Sequence, residues 1–314
     1  GEDIYLVMNK DTNELSVRSL EKSEVVYKSY RAISGTNPGD KLFEGDKKTP
    51  EGIYFIEGKI PKVRLQKLHG SAAFATNYPN PVDKIHKRTG SGIWVHGVEN
   101  ENRMQKRFDT LGCVALGNGD VVDLEQFLKM RETPIVIVDK QTAEQPIGLL
   151  PNDGPLAKRI YDWVAAWSSR DADKYLSYYS PDFQGRGMSF SAWMNHKKRL
   201  VRIYKDINVR IRNLRILRHG KYSVAIFEQN YKSNLYHSIG KKRLYLMGEG
   251  ESAQIISEES LLVRQGPAGK IKDDWEELTP SGNSDGVVPT ISNEPSAEAP
   301  KAAQSANSLE ATKL

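Results

Sequence analysis

Between residues 140 and 155 the chain carries Pro146, Pro151, Gly154 and Pro155, and the two sides of this interruption follow different periodicities. A helix or strand does not run through such a stretch, so the chain must fold in at least two pieces. Its 314 residues agree, being too many for one typical core and about right for two.

Upstream, the pattern is that of strands. "IYLVMNKDTNELSVRSL" (4–20) alternates on either side of a turn at Asn9–Asn13, as a hairpin does. "VVYKSYRAISG" ends a third strand at Gly35, and "TPEGIYFIEGKI" is a fourth, entered through Pro50 and Gly52. "GSGIWVHGV" frames a short buried strand with glycines. Val121, Leu124, Phe127 and Leu128 recur at helical spacing, and "TPIVIVD" is the unbroken apolar run of a buried strand. Residues 1–140 therefore predict a mainly β domain with about one good helix.

Residues 141–154 read as a linker. Beyond them, Leu156, Ile160, Trp163, Val164 and Trp167 line one helix face. A second short helix is opened by Asp171 as N-cap, and "SFSAWMNHKKRLVRIY" is a third. Long strands follow from Ile207 to Arg264. Helices followed by strands predict an α+β domain over 155–279. From 280 to 314 the composition turns to Ser, Ala, Pro, Asn and Glu, which predicts a disordered tail.

The chemistry centres on one residue. Cys113, in "DTLGCVALGN", is the single cysteine, so no intramolecular disulfide and no cysteine-rich zinc site can form. No His-Glu-x-x-His spacing occurs, and neither a metal nor a cofactor is expected. A thiol acts as nucleophile where a base or a positive field makes thiolate available. The nearest candidate base is His96, seventeen positions earlier, where the strand of "GSGIWVHG" ends. Gly112 allows close backbone approach, and the amides of Gly112 and Cys113 are candidate oxyanion donors.

The combination His96-Gly97, then Thr110-Leu111-Gly112-Cys113, resembles the L,D-transpeptidase (YkuD) catalytic domain family. "GDKKTPEGIYFI" (45–56), "NYPNPVD" (77–83) and "GSGIWVHG" (90–97) strengthen the resemblance, which covers residues 1 to about 140. The last two resemble a subgroup of cell-shape L,D-carboxypeptidases. The resemblance implies a YkuD-like β-sandwich and acyl transfer on peptidoglycan stem peptides. It makes Cys113 the nucleophile, His96 the base, the Gly97 carbonyl its orienting group and Thr110 the hydroxyl residue near the thiol. Many members carry histidine directly before Gly-Cys and arginine two residues after it. Here those positions are Leu111 and Ala115, which favours hydrolysis, trimming tetrapeptide to tripeptide, over 3–3 cross-linking or attachment of proteins to the wall. On this reading, acid inactivates the enzyme as His96 protonates, between pH 5 and 8. A reading of another class is a non-catalytic wall-binding module.

The second domain resembles the NTF2-like fold, a cone of helices against a curved sheet, in which Trp163, Trp167, Tyr175, Tyr179 and Trp193 are core residues or pocket lining. A glycan or protein is the candidate partner there. Arg210 and Arg212 project from one sheet face as a solvated surface or a dock for an acidic polymer, and few aromatics accompany them, which disfavours nucleic acid. In the first domain, His69 and His86 bound a segment read as a loop or lid. Tyr78, Lys84, Lys87 and Arg88 are its candidate substrate contacts, together with Thr110 beside the thiol and Trp94, which is also a core candidate. The net charge of +5 fits an acidic partner without identifying one. No stretch approaches the roughly 18 apolar residues of a membrane span. The expected location is the periplasm or cell envelope, any leader having been removed.

Overall fold

The structure, a computed structural model, describes residues 2–140, 147–220, 222–273 and 275. In the first domain nine strands form one sheet: β1 Ile4–Asn9, β2 Glu14–Ser19, β3 Val26–Gly35, β4 Gly52–Lys59, β5 Ala73–Thr76, β6 Trp94–His96, β7 Phe108–Thr110, β8 Val114–Leu116 and β9 Pro134–Val138. Helix α1, Pro81–Ile85, lies between β5 and β6, and α2, Asn118–Leu124, precedes β9. The sheet order is β2-β1-β9-β4-β5-β6-β8-β3-β7, and β3 pairs again with β2. The sheet thereby closes around a core that includes Leu6, Tyr54, Phe74, Val95, Val114 and Ile135.

The unbroken apolar run of β9 has a direct cause. Ile135 and Ile137 enter that core, while Val136 and Val138 enter a second one on the opposite face. β1 and β4 divide in the same way, with Tyr5, Val7, Ile53 and Phe55 on the second face. Strands buried on both sides need apolar residues at every position.

What covers that second face is the other domain. β10 Ile147–Leu150 is followed by α3 Pro155–Ser168, α4 Ala172–Leu176, a small β11–β12 pair (Gln184–Gly185 and Met188–Ser189), and α5 Phe190–Ile203. Four long strands complete it: β13 Asn208–His219, β14 Tyr222–Lys232, β15 Tyr236–Met247 and β16 Gln254–Pro267. Asp171 and Ser189 cap α4 and α5 through their side chains. The helices pack on one sheet face around Trp163, Trp167, Trp193, Leu200 and Phe227. From the other face Leu217, Tyr222, Val224, Tyr245 and Ile256 meet Ile53, Phe55 and Val136 of the first domain. The Tyr222 hydroxyl accepts the Ile53 N–H, Lys241 pairs with Glu132, and the Arg243 guanidinium lies 3.4 Å from the Phe55 ring centroid. The two sheets thus share a core.

Several expectations change. Part of the stretch read as linker, Ile147–Leu150, is an edge strand paired with β13, because Ile147 and Leu149 have the shared core to pack against. The helix after Gly117 ends at Leu124 and tightens into a 3₁₀ turn. Core packing, the favoured role for most of Trp163, Trp167, Tyr175, Tyr179 and Trp193, holds for all five. Arg210 pairs with Asp273 and Arg212 with Glu228, and Trp275 lies against Arg212, so the basic sheet face is partly neutralised and covered. The tail from 280 onward lies outside the described residues.

Candidate active site

β6 and β8 run parallel with Val95 opposite Val114 and His96 opposite Ala115. Strand alternation sends Val95 and Val114 into the core, so Trp94, His96, Cys113 and Ala115 share the other face. On the far side of β6, Ala73 stands opposite His96 and Ala75 opposite Trp94. His96 therefore has an alanine on each flanking strand, which leaves room for its ring.

The thiol and its surroundings are fixed by backbone. Trp94 N–H points at Cys113 Sγ from 3.4 Å, and Sγ lies 3.5 Å from the Gly92 carbonyl oxygen. The Cys113 carbonyl oxygen accepts from Thr110 Oγ1 at 2.7 Å and from Thr49 Oγ1 at 3.4 Å. Gly112 has φ +130°, and a Cβ there would lie 2.8 Å from the Lys48 carbonyl oxygen. Only glycine fits this approach. Of the two predicted oxyanion donors, the Gly112 amide is already committed to Thr110 Oγ1 at 3.1 Å.

His96 is buried, and its Nδ1 lies 2.5 Å from the Gly97 carbonyl oxygen. Burial pulls the imidazole down to about 4 against the opposing effect of that carbonyl, and His69 and Arg103 lower it further. Burial also pushes the Cys113 thiol above its ordinary value, offset in part by the Trp94 amide and by Lys41. The resting pair is a neutral thiol and a neutral imidazole.

Sequence reasoning missed the residues that hold this arrangement. Asn118 Nδ2 donates to the Val98 carbonyl, and its Oδ1 accepts from Ser71 N, each within 2.8 Å. A Cβ on Gly70 or Gly97 would lie 2.1 or 2.4 Å from that Oδ1, so two glycines make room for it. The loop carrying His69 is thereby tied to the turn carrying Gly97. His69 itself packs against Trp94 and edge-on against His96, with centroids 4.8 and 5.1 Å away. Asp46 accepts from Lys41 Nζ and from the amides of Leu42, Phe43 and Lys48, which shapes the loop bordering Gly112 and holds its carboxyl down at about 2 despite burial. Within "GNG" (117–119) the sequence carries only the pattern of a turn.

The predicted substrate contacts divide. Trp94 is on the Cys113 face and half-buried. Tyr78 is not on a cleft surface: it is buried against Tyr54, and its hydroxyl donates to the Thr89 carbonyl at 2.9 Å. Arg88 is spent on Asp40 at 2.5 Å and Asp83 at 3.4 Å. Lys84 and Lys87 are exposed, and His86 ends α1. Among the described residues no cluster of three His, Cys, Asp or Glu side chains is placed to hold a metal, and no helix is long and apolar enough to cross a membrane.

A closed, mainly β domain with a thiol and a carbonyl-held imidazole on one sheet face, packed sheet to sheet on a helix-covered domain, defines a two-domain protein with a cysteine–histidine site. The L,D-transpeptidase catalytic domain model (YkuD) matches residues 3–137, and that of the Cds6 C-terminal NTF2-like domain matches residues 155–259. The solved structure of Bd1075 from Bdellovibrio bacteriovorus is 30% identical with a TM-score of 0.68, over 82% of this chain and 92% of that one. The helical cell shape determining protein Pgp2 of Campylobacter jejuni is 27% identical with a TM-score of 0.66, over 82% and 91%. YqjB of Bacillus subtilis (strain 168), whose name assigns it to the L,D-transpeptidases, is 28% identical over 146 residues, 46% of this chain and 76% of that protein. The chain belongs to the L,D-transpeptidase (YkuD) family, whose enzymes act on peptidoglycan, and its second half is an NTF2-like domain.

Proposed function

We propose that this protein is a cysteine-dependent L,D-carboxypeptidase of the periplasm or cell envelope, which trims peptidoglycan tetrapeptide stems to tripeptides and so contributes to cell shape. The observation that carries the reading is the shared face of β6 and β8, with Cys113 beside Trp94 and His96 two residues on, its Nδ1 held by Gly97. Cys113 Sγ attacks the carbonyl of the L-centre while His96 Nε2 takes the thiol proton. The oxyanion forms at the Cys113 amide, and the Gly112 amide joins it only by leaving Thr110. His96 then gives its proton to the departing amine, D-alanine leaves, and a thioester remains. Water attacks the thioester and loses its proton to His96, the C–S bond breaks, the proton passes from His96 to Cys113 Sγ, and the tripeptide is released.

Hydrolysis is preferred because Leu111, directly before Gly112, is exposed and apolar, and Ala115 brings no charge to the site face. The arginine that many family members carry two residues after the cysteine, and that the reading ties to binding of an acceptor stem, is therefore missing here. The cell-shape role draws on the similarity to Pgp2, whose name carries that role. Incubation with disaccharide tetrapeptide and separation of the muropeptides tests the reading. Tripeptide without dimer is expected. Dimers with 3–3 links assign transpeptidation instead, and full biological activity of Cys113→Ala assigns a non-catalytic, wall-binding role.

A further inference from the structure

We propose that His69 contacts substrate in this site, donating its Nε2–H to the terminal carboxylate of the departing D-residue; the inference rests on the carboxypeptidase reading above. His69 lies in the short turn Lys67–His69, outside the sequence motifs, and yet its ring bridges the two aromatic side chains that β6 presents beside Cys113. It is half-buried, so one part of it faces the open side of the site.

The ring's hydrogen bonding gives it a direction. The Gln66 amide donates to His69 Nδ1 at 3.3 Å, so the neutral ring carries its proton on Nε2. Among the described residues that Nε2–H has no partner. A half-buried donor on the site face, without an acceptor among the described residues, is matched by an acceptor on the ligand. Its position is also firm. Gly70 follows with φ +63°, and Ser71 is anchored on Asn118, whose side chain packs into the turn of Gly97.

Chemistry selects the acceptor. His96 protonates the departing nitrogen, which must therefore lie at the His96 ring. The carboxylate of a one-residue leaving group hangs from the carbon next to that nitrogen. A donor packed edge-on against His96 is in reach of it. Of the three cations that the sequence offered for such a carboxylate, Arg88 is held by Asp40 and Asp83, and Lys84 and Lys87 are exposed on and just after α1.

Binding in the Cys113→Ala background, where nothing is cut, tests this by calorimetry. The ligands are disaccharide tetrapeptide and the same compound with a C-terminal carboxamide. The acid is expected to bind about 10-fold more tightly than the amide, as one hydrogen bond to a charged group gives. His69→Phe, which keeps a ring over Trp94 and His96, is expected to abolish that preference, and His69→Gln, which keeps an N–H donor, to retain part of it. An unchanged preference in His69→Phe overturns the proposal, as does an equal loss for both ligands or the absence of any preference in the parent. Binding that follows the expected pattern in a protein whose wild type does not trim tetrapeptide overturns the carboxypeptidase reading and leaves His69 in place.

Discussion

The Gly97 carbonyl oxygen lies 2.5 Å from Nδ1 of His96, the residue immediately before it. A carbonyl only accepts, so Nδ1 carries the proton and Nε2 is left bare to act as a base. The orienting group is uncharged, unlike the aspartate of a hydrolase triad, and so offers the imidazolium less stabilisation. Direction rather than charge is what Gly97 supplies. His96→Gln and Cys113→Ala are each expected to lower tripeptide formation at least about 10³-fold. Near-native melting of both variants, followed by circular dichroism, separates this loss from unfolding.

Burial sets the pH dependence. The sequence alone predicted an acid limb between pH 5 and 8, near the ordinary imidazole value. His96 is instead held at about 4, so its basic form persists as pH falls from 7 to 5, and kcat/KM is expected to drop only as pH passes through about 4. The same shift acts on stability. The unfolded chain binds a proton at this residue near 6.5 and the folded one does not, so its contribution favours unfolding as pH falls from 6.5 towards 4. Rates measured from pH 3.5 to 8 with the fold monitored in parallel separate the two effects. A limb centred near 6.5 refutes the buried base.

The shared placement of Cys113 and His96 was legible in the sequence because each belongs to a local pattern, glycine beside a candidate reactive residue at a strand end. Their pairing then needed only one parallel register, Val95 to Val114. Arg88 and Tyr78 misled because their partners are remote. Asp40 lies 48 positions from Arg88, and the Tyr78 hydroxyl is claimed by Thr89 across the turn that α1 makes. Asn118 gave no signal, since its role depends on two glycines from different loops that meet only in the fold. For the same reason "IGLL" (147–150) read as linker, because its packing partners, Tyr5, Val7 and Leu217 among them, come from both domains.

Gly112 is a position where backbone shape and chemistry coincide. Gly112→Ala puts a Cβ 2.8 Å from the Lys48 carbonyl oxygen, at a φ that side chains rarely adopt. A cost of about 1–3 kcal/mol is expected. Activity is expected to fall further than stability, because relief of the clash moves Cys113, the next residue. Gly58→Ala is the control: it meets nothing within 4 Å and its φ is unstrained, so little change in melting temperature is expected.

Ala115 marks where this chain leaves the common family pattern, and its setting makes that departure structural. It is fully buried opposite His96 and Ile33, in a cluster with Val98. Ala115→Arg inserts a long cation where neither neighbouring strand offers a counter-charge. The expected cost is about 3–5 kcal/mol, the range for an unpaired buried charge. No 3–3 dimers are expected from the variant. A stable, active Ala115→Arg protein that cross-links shows that the single residue decides between water and amine.

The last expectation concerns the domains' dependence on one another. The Tyr222 hydroxyl accepts the Ile53 N–H, and Ile53 lies on β4 among residues that face the second domain. Tyr222→Phe leaves that buried amide without its acceptor, at a cost of about 1–3 kcal/mol. Turnover is expected to remain within twofold, since Ile53 and Tyr222 lie in the shared core and not on the face of Cys113 and His96. A chain ending at residue 140 goes further and uncovers Val7, Ile53, Phe55, Val136 and Val138 together. Such a contiguous apolar face predicts aggregation of the isolated first domain, whatever the state of Cys113 and His96. Light scattering and the soluble yield of residues 1–140, against the two-domain chain, decide it. If the fragment is monomeric and melts like the whole, the second domain only rests on the first. If it aggregates, the NTF2-like domain is part of what allows the catalytic sheet to exist in water.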